Sequence, residues 1–310
     1  MKPFLKWVGG KTQLLSVLMK DFPDDITRYA EPFIGGGAFF FHLLETRSEQ
    51  IEKWYISDLN PTLVGLYQIL QDSEETGYLI HNLKSAESHY NDLDAKEREK
   101  FFYGTRDRFN QNILEPPEEG EERIEHASQA IFLNKTSFNG LWRVTKKGLY
   151  NTPFNFMGVD KKTGDCRWAR ICKEENLLEI NRKLSSIDID IRLADFAKAS
   201  LDFCLADEPN KTFFYFDPPY RPVNKNSFKA YTNSGFNDDK QVALSRLARN
   251  LVQRGSHVLV SNSKCEDKFF RVIYPSYFNI ETISARRSVN SNGQDRKGFE
   301  ILISDYRTVE

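Results

Sequence analysis

The chain predicts an α/β fold, a mostly parallel sheet with helices on both faces, interrupted by an inserted second domain. Strand-like and helical stretches alternate before residue 71 and after residue 168, the pattern of such a sheet. Phe213–Phe216 is a continuous apolar run of the kind that a parallel sheet buries. Residues 71–168 break the rhythm and read as the insertion, with the acidic Glu115–Glu122 as a solvated loop.

The elements follow in order. Between Arg28 and Leu44 a short strand leads into Gly35-Gly36-Gly37 and then an apolar run from Ala38, giving strand, glycine turn and helix. Trp54-Tyr55-Ile56 is the next strand. It stops at Asp58, after which Asn60 can cap a helix with Pro61 in its first position, where a missing N–H costs nothing. Ile187, Ile189, Ile191 and Leu193 alternate with Asp188, Asp190 and Arg192, a strand with one wet face that ends near Asp195. Phe213–Phe216 ends at Asp217. A helix over 240–254, a strand around Val258–Val260 and closing strands at 277–283 and 299–303 complete the chain. In such sheets ligands bind beyond the carboxyl ends of the strands, where Gly35 to Gly37, Asp58, Asp195 and Asp217 all fall.

Composition narrows the function classes. A length of 310 residues has room for about two domains, and 40% hydrophobic with 28% charged residues excludes a disordered or collagen-like chain. Lys and Arg number 43 against 44 Asp and Glu, a net charge of -1, so any nucleic-acid surface must be local. Such a stretch exists. From His126 to Val159 there is no Asp or Glu, while Lys135, Arg143, Lys146 and Lys147 are basic. Cys166, Cys172, Cys204 and Cys265 form no C-x-x-C pair and read as free thiols in a reducing compartment, with no metal site. No stretch has the character of a signal peptide or membrane span, so the expected location is cytoplasmic.

Gly9-Gly10-Lys11-Thr12 imitates the end of a phosphate-binding loop, but the glycine that pattern needs five places earlier is Leu5. The dinucleotide fingerprint beginning at Gly35 fails at its third glycine, which is Phe40. What survives is a glycine turn after the first strand and Asp58 after the second, a spacing that suits a ribose diol. Asp217-Pro218-Pro219-Tyr220 says more. Two prolines remove two backbone donors and stiffen the turn, leaving the Asp217 carboxylate and the Pro218 carbonyl as acceptors for both hydrogens of an amino group. Tyr220 adds a flat face on which a base can stack.

In this order the chain resembles the Dam-type DNA adenine-N6 methyltransferases of the alpha-ordered amino-methyltransferase group. The resemblance runs from Phe4-Leu5-Lys6-Trp7-Val8-Gly9-Gly10-Lys11, through Glu31-Pro32-Phe33-Ile34-Gly35-Gly36-Gly37 and Asp217-Pro218-Pro219-Tyr220, to Arg286-Arg287-Ser288-Val289-Asn290-Ser291-Asn292-Gly293. It implies a Rossmann-like catalytic domain (residues 1–70 and 169–310) and a largely helical target-recognition domain with a β-hairpin (71–168).

The resemblance also implies S-adenosylmethionine as methyl donor and double-stranded DNA as substrate. For the donor it implies Trp7 and Lys11 at the methionine end, Glu31, Phe33 and Gly35 to Gly37 around the turn, Asp58 at the ribose, and Asp195 with Phe196 at the adenine. Outside the resemblance, Lys6 and Lys11 read as a solvated pair of lysines. In the hairpin it implies Phe138 entering the base stack, where Dam enzymes commonly have Tyr, with Asn139, Leu141, Arg143 and Pro153 beside the bases and Lys6 joining them. Lys135, Lys146, Lys147, Arg286, Arg287 and Lys297 are expected on phosphates. The expected reaction is methylation of adenine N6 in GATC after base flipping, catalysed by Asp217, Pro218, Pro219 and Tyr220 without a metal. A longer GAT-containing site, cytosine N4, RNA adenine, an oxidoreductase and a catalytically silent DNA-binding module are the alternatives. A cognate restriction endonuclease is a functional partner rather than a bound one.

Overall fold

The computed structural model describes residues 1–7, 9–156, 166–206, 208–222, 235–265, 268–286 and 297–307. In chain order the elements are α1 (Leu15–Leu18), β1 (Arg28–Glu31), α2 (Ala38–Thr46), β2 (Lys53–Asp58), α3 (Pro61–Gln71), α4 (Ser73–Asp92), α5 (Ala95–Gln111), α6 (Gly120–Thr136) and α7 (Glu174–Leu184). There follow β3 (Asp188–Leu193), α8 (Phe196–Ala206), β4 (Thr212–Phe216), α9 (Asp238–Gln253), β5 (His257–Ser263), α10 (Phe269–Ile273), β6 (Asn279–Arg286) and β7 (Lys297–Ser304). Two compact units divide the chain. One comprises Met1–Gly10, Gly35–Glu45 and Asn60–Ile187, the other Lys11–Ile34, Thr46–Leu59 and Asp188–Glu310.

The second unit holds the whole sheet, in the order β3-β2-β1-β4-β5-β7-β6. The first five strands in that order are mutually parallel, and β7 lies antiparallel between β5 and β6. Strand order reverses between β1 and β4. Glu31, the last residue of β1, and Asp217, just past β4, therefore flank the switch point at which open α/β sheets take ligands. Every residue of β1 and β4 is buried, which is why both read as continuous rather than alternating. Phe214, Phe216, Val258 and Val260 share a core with Leu244, Ala248 and Leu251 of α9 and Phe196 and Ala199 of α8. Burial of each large side chain contributes about 1.5–3 kcal/mol.

In the other unit, Asn60 caps α3 by accepting from the Leu63 amide at 3.2 Å, with Pro61 at the first position, as the sequence predicts. Asp94 and Glu97 form a reciprocal capping box on α5. The expected acidic loop is partly helix: α6 begins at Gly120, and Glu121 and Glu122 fall in its first turn, where the helix dipole favours negative charge. His126 of α6 is buried against Phe109, 4.4 Å between centroids, and Thr62, and this burial lowers its pKa to about 4. Among the described residues no helix is long and apolar enough to cross a membrane.

One strand runs past its expected end. Ser261-Asn262-Ser263 extends β5 beyond the expected Val258–Val260, because β7 pairs with all three. The hairpin after α6 is held by two isolated bridges, Ser137 with Phe154 and Val144 with Tyr150.

Candidate active site

The fully buried β4 delivers Asp217 into a rigid turn. Oδ2 of Asp217 accepts from Lys11 Nζ at 2.6 Å, while Oδ1 is buried with no hydrogen-bond partner among the described residues. Burial raises the Asp217 carboxyl above its ordinary value, and the Lys11 ammonium opposes that rise. Lys11 is 3% exposed and lies 4.9 Å from the Tyr220 ring centroid, so it is no solvated lysine. The Tyr220 hydroxyl donates to Glu300 Oε2 at 2.8 Å, and burial beside these carboxylates holds it well above the usual phenol value.

The backbone of the turn is held as well. Gln241 donates to the Pro219 carbonyl at 3.2 Å, Asn262 donates to Gln241 Oε1 at 3.2 Å, and Asn262 Oδ1 accepts the Arg221 amide at 3.0 Å. Arg221 is tied to Asp238 at 2.7 Å. Sequence reasoning missed Gln241, Asn262 and Glu300. The signal available was a polar residue placed inside an apolar run, Glu300 within Phe299–Ile303 being the clearest.

The same sheet carries three acids at neighbouring strand ends. Glu31 closes β1, is 3% exposed and accepts from the Tyr29 hydroxyl at 2.6 Å. Asp58 closes β2, and its carbonyl accepts the Ala194 amide just past β3 at 3.2 Å. Asp195 accepts the Ala197 amide at 3.0 Å at the start of α8 and lies 3.5 Å from Lys240 Nζ. Beside them Phe33 stacks on Phe196 at 5.2 Å, with Phe236 edge-on to Phe33 at 5.5 Å.

In the helical unit the glycine turn closes on Trp7. A Cβ at Gly35 would lie 3.0 Å from the Trp7 ring and one at Gly36 would lie 2.8 Å from its Cβ, while Gly35 sits at φ +47°. Trp7 in turn packs on Trp142 at 5.5 Å. Two of the three glycines thus make room for an indole.

The hairpin presents its residues unequally. Phe138, Asn139, Arg143, Lys146, Lys147 and Pro153 are exposed, and Leu141 is half-buried. Asn139 adopts φ +56°, and the Phe138 amide donates to the Pro153 carbonyl at 2.9 Å. Arg143 is laid across the hairpin by Asn151, whose side-chain and main-chain oxygens each accept from its guanidinium at 2.9 Å. The Lys135 ammonium is turned inward and donates to the Phe4 carbonyl, and burial lowers it to about 8. Arg286 and Lys297 are in register across β6 and β7, but their side chains, and all of Arg287, lie outside the described residues.

The sequence model of the D12 class N6 adenine-specific DNA methyltransferases matches residues 7–289. The chain is 38% identical to the Type II methyltransferase M.MjaIII of Methanocaldococcus jannaschii, over 99% of each chain. Identity is 30% to the Type II methyltransferase M1.LlaDCHI of Lactococcus lactis subsp. cremoris, over 99% of this chain and 96% of that one. It is 26% to the DNA adenine methylase of Escherichia coli K12, over 99% and 95%. With a family match from Trp7 to beyond β6 and a relative 38% identical over nearly the full length of both chains, this chain belongs to the D12 class of N6 adenine-specific DNA methyltransferases.

Proposed function

We propose that this enzyme transfers the methyl group of S-adenosylmethionine to N6 of a flipped adenine in GATC sites of double-stranded DNA. The observation that carries the reading is the buried Oδ1 of Asp217, an acceptor without a partner among the described residues, beside a Pro-Pro turn and the face of Tyr220. A buried acceptor left unmatched is costly, and an exocyclic amine would match it.

The donor set at the strand ends fits S-adenosylmethionine. Asp58 is suited to ribose hydroxyls, Glu31 to an ammonium, and Asp195 with the Phe33 and Phe196 rings to an adenine. When bound, this group supplies an activated sulfonium methyl. The chain supplies the rest. Asp217 Oδ1 and the Pro218 carbonyl accept the two amine hydrogens, which draws the N6 lone pair out of conjugation with the ring. The carboxylate then stabilises the positive charge that develops on N6 as the S–CH3 bond breaks and the N–CH3 bond forms, after which N6 gives up one of its two hydrogens as a proton. Tyr220, anchored by Glu300, stacks on the base, since an adenine inside a duplex cannot reach Asp217 without leaving the stack.

Residues 71–168 carry target recognition in this reading, and residues 1–70 with 169–310 the transfer chemistry. Phe138 is the aromatic that enters the base stack, and Arg143 addresses guanine. Asn151 holds the Nε and one of the Nη nitrogens of Arg143, which fixes the guanidinium plane on the hairpin. Methylation of duplexes carrying GATC and each single-base change tests the assignment. Arg143→Ala should lose about 1–3 kcal/mol of discrimination at one base pair, whereas a phosphate contact would weaken all sequences alike.

A further inference from the structure

Asn134, near the end of α6, is fully buried, and all of its amide's polar atoms are engaged. Its Oδ1 accepts the Lys6 amide at 2.8 Å, while its Nδ2 donates to the Lys6 carbonyl at 2.8 Å and to the Gly140 carbonyl at 3.0 Å. The side chain pairs with the Lys6 backbone as a neighbouring strand would, and with its remaining hydrogen it grips the hairpin. Gly140 closes the clamp from the other side. It sits at φ +65°, and a Cβ there would lie 2.5 Å from Lys6 Cδ and 2.8 Å from Lys6 Cβ.

The geometry points to Asn134 as the positioning residue that joins Lys6 to the hairpin Phe138–Arg143, making them one reading element whose register on DNA determines sequence discrimination. This rests on the proposal that Lys6 and the hairpin meet the bases. Lys6 is more than a hundred residues from the hairpin in sequence, and its long side chain carries no register of its own. The backbone clamp supplies it, because Asn134 fixes both the N–H and the C=O of Lys6 and so leaves its Cα no freedom to slide or turn.

The test compares kcat/KM on duplex oligonucleotides carrying the enzyme's own site, mapped from methylated DNA, with kcat/KM on each single-base variant. Asn134→Asp keeps the shape and the Lys6 N–H acceptor but sets a carboxylate oxygen against the carbonyls of Lys6 and Gly140. Discrimination between the site and its variants should fall tenfold or more, with S-adenosylmethionine affinity by calorimetry within twofold of wild type. Gly140→Ala attacks the same clamp from its other side and should lower discrimination likewise, which keeps the test available if Asn134→Asp does not fold. An equal loss of kcat/KM on every duplex in the folded variants, with wild-type discrimination, would overturn the proposal by making Asn134 a fold residue only. Lys6→Ala separates the two claims. If it reduces discrimination while the clamp variants do not, only the clamp fails; if it leaves discrimination unchanged, the hairpin reading fails and the clamp with it.

Discussion

The ammonium of Lys11 lies 2.6 Å from Oδ2 of Asp217 and 4.9 Å from the centre of the Tyr220 ring, within one compact unit. Burial drives the Asp217 carboxyl toward its neutral form, and this contact is the main force against it. A neutral carboxyl would accept the target amine's hydrogen poorly, so Lys11 maintains the charge on which the proposed chemistry depends.

Lys11→Met should therefore move the acid limb of the pH profile. With the ammonium gone, burial acts with its main opponent removed, and the carboxyl rises further. Activity requires the ionised form, present above the raised value and lost as pH falls through it. The acid limb of kcat/KM should shift to higher pH, each unit being about 1.36 kcal/mol of lost charge stabilisation. An acid limb at its wild-type position would show that another group controls Asp217.

Asp217 and Asp58 should fail in different ways. Asp217→Ala removes hydrogen bonds needed most in the transition state, so kcat should fall by orders of magnitude with donor affinity retained. Asp58→Ala should weaken donor binding first, as read by calorimetry. A loss of less than about tenfold in kcat for Asp217→Ala, where a decade is about 1.36 kcal/mol, would reject the role given to it.

The glycine turn makes a stability prediction. Gly35→Ala forces a side chain into φ +47° and against the Trp7 ring, and should destabilise the fold by about 1–3 kcal/mol. Gly77→Ala, inside α4 with nothing near its Cβ position, should instead stabilise by about 0.5–1 kcal/mol. Denaturant unfolding of the two variants reads both signs.

Lys146 and Lys147 sit exposed at the hairpin tip, between the Thr145 and Leu149 backbone bond and the Gly148 turn. Replacing both by Ser should reduce the slope of log affinity against log salt by about 0.9 per lost phosphate contact. An unchanged slope would place the duplex on another surface. Lys135 should contribute nothing to that slope, since its ammonium is already held by the Phe4 carbonyl.

Much of the site was legible because its signals are local. The run Phe213–Phe216 ending in Asp217-Pro218-Pro219-Tyr220 contains the strand, its stop and the acceptors in eight consecutive residues. Asn60 and Pro61 announce α3 in the same way. The supports of the turn were not legible. Glu300 reaches Tyr220 across 80 positions, and Asn262 and Gln241 come from two other elements, so only the pairing of β5 with β7 and the packing of α9 bring them in. Lys135 misled for a related reason: a basic residue in a basic stretch reads as surface, yet its place on α6 turns it toward the Phe4 backbone. Lys11 also read as solvated until the fold supplied Asp217, more than 200 positions away.

The role proposed for Asp217 is catalysis of methyl transfer to adenine N6 in DNA. Single-molecule sequencing of modified bases in DNA from cells expressing the wild-type chain, beside cells expressing Asp217→Ala, tests it most directly. N6-methyladenine is expected at GATC in the first and none above background in the second. N6-methyladenine at equal levels in both, or in neither with the wild-type protein folded and present, would contradict it.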